Sequence, residues 1–241
     1  MSVKNHYDNH LAEVYSWFSG NFELKKEQFK KLCGDYGVVP SKNNASAFDL
    51  GAGHGIQTIA LSELGFKVNA IDFNSQLLEE LSLHKGSLAI ETILDDLRHF
   101  KRYVDDTVEV IACCGDTIAH LASEEEIKQL IIDTFAVMAP GGRIIITFRD
   151  YSVELKGTSR FIPVKSDDKR ILTCILEFFP GKVSVTDLLH ELIDGKWVQK
   201  VSSYDKVRTT QEMIQQYLVE TGYLLLCNEN SRGWITLIGS K

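Results

Sequence analysis

Residues 47–61, AFDLGAGHGIQTIAL, end an apolar run on an acid, Asp49, place glycines at 51, 53 and 55, and continue into a helical pattern. A chain that leaves a parallel strand, turns sharply and enters a helix needs positive φ and bare backbone, which glycine supplies at little steric cost. An ordinary strand-to-helix turn has the same need, so the second acid matters: another apolar run, 66–71, ends on Asp72. Glycine turn and carboxylate together imply a nucleoside whose ribose lies between them. A dinucleotide fits less well. Its G-x-G-x-x-G loop would want a small residue where Ile56 stands, and Asp49 would put a carboxylate close to the pyrophosphate that such a loop seats at the helix N-terminus.

Strand and helix signals alternate through the first two thirds of the chain, with strands at 47–50, 66–71, 88–94, 108–114 and 142–148 and helices at 56–65, 75–83 and 124–138. Pro140-Gly141-Gly142 is expected to break the last helix before its strand. The alternation predicts an α/β fold with a doubly wound, mostly parallel sheet covered on both faces. Ahead of it, Leu11, Val14, Tyr15 and Phe18 share a helical face that ends near Gly20, and a second helix is expected over 22–32. From Arg170 to Val207 the period becomes two, with Pro180-Gly181 and Asp194-Gly195 as hairpin signals, which predicts a three-stranded antiparallel insertion. A helix over 210–221 and strands at 223–228 and 234–239 close the chain. The expected units are an N-terminal helical cap (1–44), a cofactor core (45–150), the meander as lid or oligomer surface (151–207), and a closing helix with antiparallel strands (208–241). The meander surface is compatible with a homodimer.

The spacing of Asp49, Gly51, Gly53 and Gly55 resembles the first motif of the class I S-adenosylmethionine-dependent methyltransferases, acidic-x-G-x-G-x-G. The resemblance implies a seven-stranded Rossmann-like sheet with a closing antiparallel hairpin. It also implies S-adenosylmethionine as cofactor, with the glycine loop and Ala52 near its methionine end. Asp72 would accept from the ribose hydroxyls, Phe73 and Leu77 would line the adenine, and Cys114 would lie at the cofactor as well. After the third strand an acid would receive the adenine amine and the next residue would give a backbone contact. Asp96 with Leu97 is preferred, Asp95 is the alternative, and either acid has a structural use as an N-cap.

Two further segments, VIACCGDTIAHL (110–121) and ITFRDY (146–151), resemble the glycine and sarcosine N-methyltransferase branch. By that resemblance Gly115, Asp116 and His120 meet the acceptor, Arg149 clamps its carboxylate and Tyr151 completes the pocket. Asp116 and Asp150 stand where that branch has amides. A carboxylate repels an acceptor carboxylate and attracts an ammonium, which makes glycine a poor fit and leaves Arg149 either a clamp or a neutralising partner of those acids. The spacing of Asp116 and His120 would pair them on one helical turn as a proton acceptor. The resemblance brings the N-terminal helix over the pocket, where Tyr7 and Tyr15 would stand beside the methyl path.

Composition narrows the field. With 26 basic against 33 acidic residues the net charge is −7, and no basic run interleaved with aromatics occurs, so nucleic acid is a poor partner and a small-molecule methyl acceptor is expected. Five scattered cysteines suggest neither disulfides nor zinc. His6 and His10 have a metal-like spacing without a third ligand and are expected to face solvent, so no metal is expected. No membrane-length apolar run or leader is evident, which predicts a cytoplasmic protein. Three functions compete: an N-methyltransferase of small polar metabolites, an O-methyltransferase of a small acid, and a cofactor-binding regulator without chemistry.

Overall fold

The computed structural model describes residues 2–43 and 45–241. Seven strands form one sheet in the order β10-β11-β5-β4-β1-β2-β3. These are β1 (Ser46–Leu50), β2 (Lys67–Asp72), β3 (Ile90–Leu94), β4 (Val108–Cys113), β5 (Met138–Arg149), β10 (Leu224–Ser231) and β11 (Trp234–Ser240). β1 runs parallel to both β2 and β4, with Asp49 opposite Ala70 on one side and Ala112 on the other. β11 runs antiparallel to both of its neighbours, β5 and β10. Strand order reverses at β1 and β4, so a crevice opens outside their carboxyl ends.

Both faces of the sheet are covered, as near-continuous apolar strands require. On one face Phe48, Leu50, Ile111, Ile144 and Phe148 pack with Ile127 and Leu130 of α6 (Glu124–Val137) and Ile214 and Leu218 of α7 (Gln211–Thr221). On the other, Ala47, Val68, Val110 and Ile145 meet Phe29 and Cys33 of α3 (Phe22–Asp35) and Ala60 and Leu61 of α4 (Ile56–Glu63). Helix α5 (Ser75–His84) follows β2, capped by Asn74, whose side chain accepts from Leu77 N–H.

The insertion is a four-stranded antiparallel sheet, not the three-stranded one expected. β7 (Arg170–Phe179), β8 (Lys182–Ile193) and β9 (Lys196–Val207) match the hairpin signals, and β6 (Phe161–Ser166) adds an edge. Pro163 hid that strand: proline cannot donate to a ladder and is tolerated at an edge, where the pairing with β7 slips between Pro163 and Lys165. Pro140-Gly141-Gly142 also behaves differently from expectation. It lies inside β5, where the register to β4 shifts between Val108 and Val110, and α6 ends before it at Val137.

The N-terminal helix is not continuous. Val3–His6 (α1) passes into a π-turn over Tyr7–Leu11, a 3₁₀ turn over Ala12–Val14 and a last turn, α2 (Tyr15–Ser19), which stops at Gly20 with φ 96°. A wider π-turn changes the phase of the side chains. Leu11 and Val14 thereby reach Leu172 and Leu189 of the antiparallel sheet. His6 and His10 are buried, not solvent-facing: His6 Nδ1 lies 2.8 Å from Ser202 Oγ and Nε2 3.1 Å from an Asp187 carboxylate oxygen. Among the described residues no group of three or more His, Cys, Asp or Glu is arranged to hold a metal, the five cysteines are unpaired, and no helix is long and apolar enough to cross a membrane.

Candidate active site

A cavity of about 840 Å³ opens at the carboxyl ends of β1, β2, β3 and β4. Its floor is the glycine turn. Gly51 has φ 77°, and a Cβ there would come 2.3 Å from Thr117 Cγ2, so only a bare backbone lets the loops after β1 and β4 approach this closely. Gly53 and Gly51 line the cavity, whereas Gly55, with φ 100° and Leu81 in the way of any Cβ, shapes the entry to α4 from behind. Ala52 is buried outside the cavity wall, as is Asp49. Burial pushes the Asp49 carboxyl up to about 7, partly offset by Thr58 Oγ1, which donates to it at 2.6 Å. This acid holds the turn from below.

Asp72 ends β2 and faces the cavity. One carboxylate oxygen accepts from Gly53 N–H at 2.8 Å and the other from Asn74 N–H at 2.9 Å. Burial raises its pKa against the backbone donors of Asn74, Gly53 and Phe73. A carboxylate offers about four acceptor sites, so these backbone donors leave acceptor capacity beside the glycine turn, which suits a sugar hydroxyl. Phe73, Leu77 and Leu97 give an apolar wall next to it. Asp96 also lines the cavity, and its side chain caps the turn over Leu97–Tyr103 and pairs with Arg98 at 2.6 Å. Asp95 is directed elsewhere, to His99 Nδ1 at 2.9 Å and the Tyr103 hydroxyl at 2.9 Å.

The far end of the cavity is enclosed by the N-terminal segment. Tyr7 and Tyr15 line it, with the Tyr7 ring 5.6 Å from Phe73 and 5.6 Å from His120. Burial lifts both phenols, Tyr15 to about 12, so each hydroxyl keeps its proton at neutral pH. His120 is held neutral in the opposite sense, brought down to about 3 by burial and by the Lys206 ammonium. Gly115 completes this end, its N–H donating to Thr147 Oγ1 at 3.0 Å.

Asp116, Arg149, Tyr151 and Cys114 do not line the cavity. Asp116 sits behind it in a left-handed backbone conformation, φ 74°, a region acids and amides enter more readily than most residues. It accepts from the Arg149 backbone N–H at 3.0 Å, the Tyr151 hydroxyl at 2.9 Å and Lys206 Nζ at 2.6 Å. Its hydrogen bonds are therefore to those three groups, and His120, which the spacing had suggested as its partner, interacts with it through charge. The Arg149 guanidinium packs 5.2 Å from the Trp234 ring centre, neither clamping into the cavity nor neutralising Asp116. Cys114 is buried against the Ile145 carbonyl. Lys206, which lines the cavity from β9, was missed by sequence reasoning. Its register in an antiparallel insertion, far along the chain from Asp116, leaves no local signal.

Residues 47–142, the stretch that carries this floor and most of this wall, match the family described as a methyltransferase domain. The sequence around it is 25% identical over 161 residues to a glycine/sarcosine N-methyltransferase from Aphanothece halophytica, a match covering 63% of this chain and 58% of that protein. It is 21% identical over 157 residues to the glycine N-methyltransferase of Rattus norvegicus, covering 60% and 53%. The chain thus spans a little over half the length of the curated relatives it matches. Solved structures align over nearly its whole length. The CcbJ methyltransferase from Streptomyces caelestis superposes with TM-score 0.79 at 13% identity, covering 98% of both chains. CalS10, an amino pentose methyltransferase from Micromonospora echinaspora solved with S-adenosylmethionine bound, superposes with TM-score 0.74 at 12% identity, covering 95% of both. Their likeness shows a shared fold that takes in the N-terminal segment and the antiparallel sheet.

Proposed function

We propose that this chain is an S-adenosylmethionine-dependent methyltransferase whose acceptor is a small polar amine. The observation that carries the cofactor is Asp72, which faces the cavity with acceptor capacity left beside bare glycine backbone. The apolar wall of Phe73, Leu77 and Leu97 suits an adenine ring, and the faces of Tyr7 and Phe73 suit a sulfonium cation. A cavity of about 840 Å³ leaves space for an acceptor beside the cofactor.

When bound, the cofactor supplies an activated methyl group for in-line displacement. The chain's own contribution is enclosure and alignment, which at best supplies about 7–11 kcal/mol of the barrier. Tyr7 and Tyr15 remain protonated and orient an acceptor by hydrogen bonding. His120, neutral and basic only in acid, is a poor proton sink near neutral pH. The acceptor nitrogen therefore arrives with its lone pair free. Amine chemistry is also that of two relatives named above, which are N-methyltransferases.

Incubation with methyl-labelled S-adenosylmethionine and fractionated small amines, followed by mass analysis, tests this reading. The expected result is an N-methylated product in step with cofactor consumption. Cofactor that binds but never loses its methyl group to any fraction would mark a regulator instead.

A further inference from the structure

Four cations line the cavity, and each already has an anion. Lys4 pairs with Asp8 at 2.6 Å, Arg98 with Asp96 at 2.6 Å and Glu126 at 2.5 Å, Lys182 with Asp205 at 2.8 Å, and Lys206 with Asp116 at 2.6 Å. The first three pairs are substantially exposed. The last is not: the Lys206 and Asp116 side chains retain 10% and 6% of their exposure. Three donors fix the Asp116 carboxylate, so its charge cannot swing away when a ligand arrives.

A ligand carboxylate entering beside Lys206 would either face Asp116 across the same ammonium or displace it. Displacement leaves a buried anion without its counter-charge, a strongly unfavourable state. A hydroxyl meets neither penalty, and Tyr7 and Tyr15 line the same cavity with hydroxyls of their own.

We infer that Asp116 determines specificity: by neutralising Lys206 it leaves the acceptor end, among the described residues, without a cation free to receive a carboxylate. The cavity then takes a hydroxylated amine and rejects a free α-amino acid. This rests on the methyltransferase reading above and sharpens its acceptor.

The test uses glycine and ethanolamine, which differ by a carboxylate against a hydroxymethyl group, titrated calorimetrically into full-length chain saturated with S-adenosylhomocysteine. Saturation by that nucleoside is checked first, and its failure would count against the cofactor reading, not against this one. Wild-type chain is expected to bind ethanolamine at least about tenfold tighter than glycine, a difference of about 1.4 kcal/mol. Asp116→Asn keeps a residue that tolerates positive φ and frees the ammonium, so glycine should gain at least about tenfold. Adding Lys206→Gln to that variant should abolish the gain. Glycine binding in wild type as tight as ethanolamine, no detectable binding of either, or an unchanged glycine affinity in a folded Asp116→Asn chain would each overturn the inference. Should that variant fail to fold, the wild-type ratio decides alone.

Discussion

Two acids twenty-odd residues apart do different work in this fold, Asp49 beneath the glycine turn and Asp72 facing the cavity. Asp49 is buried beneath the glycine turn with its carboxyl near 7, well above its value in an unfolded chain. The folded state therefore holds a proton that the unfolded state has lost, and from roughly pH 4 to 7 this group's contribution to stability falls as pH rises. Asp49→Asn removes that slope. Its melting temperature relative to wild type is expected to be a few degrees higher at pH 8 than at pH 5, by calorimetry, and parallel behaviour at both pH values would contradict the assignment. Gly55 is constrained by packing instead of ligand. Gly55→Ala meets both a φ of 100° and Leu81 Cγ at 2.6 Å and should lose about 2–4 kcal/mol in denaturant unfolding. A loss below about 1 kcal/mol would show that the loop yields easily.

The parallel elements were legible because their signals are local: apolar runs ending on Asp49 and Asp72, and glycines at the turn between β1 and α4. The antiparallel insertion was legible where turn residues marked it and obscure at β6, where Pro163 mimics a loop. The N-terminal segment reads as one amphipathic helix because Leu11, Val14, Tyr15 and Phe18 keep the right period, yet tertiary contacts break it at the π-turn. The pair of Lys206 and Asp116 lay beyond any local pattern, since β9 and the loop after β4 meet only in space. His6 is the anchor of the N-terminal segment: fully buried, bonded to Ser202 and Asp187, with its ring 4.2 Å from that of Tyr204. His6→Ala takes a hydrogen-bond partner from a buried carboxylate and opens space, which should cost about 2–4 kcal/mol in that region. Hydrogen exchange should then show residues 3–19 losing protection while β1, β4 and β5 keep theirs. Uniform protection in the variant would remove His6 from that role.

At the scale of the molecule, the parallel sheet supplies a fixed floor, and the antiparallel sheet with the N-terminal segment supplies the roof of one cavity. At the far end of it, His120 stays neutral down to about pH 3 and the Tyr15 hydroxyl stays protonated up to about 12. The pH profile of kcat/KM is therefore expected to rise with the deprotonation of the acceptor amine and to move when an amine of different pKa is substituted. An inflection that stays in place for both amines would point to a base on the protein. The proposal on which all this rests is that the cavity seats S-adenosylmethionine with its ribose on Asp72. Calorimetric titration of that cofactor into wild-type chain and into Asp72→Asn measures it most directly. One site per chain is expected in wild type, with affinity reduced about 100-fold or more in the variant, as loss of charge-assisted bonds to two hydroxyls requires. No binding to the wild type, or equal affinity in both chains, would contradict it.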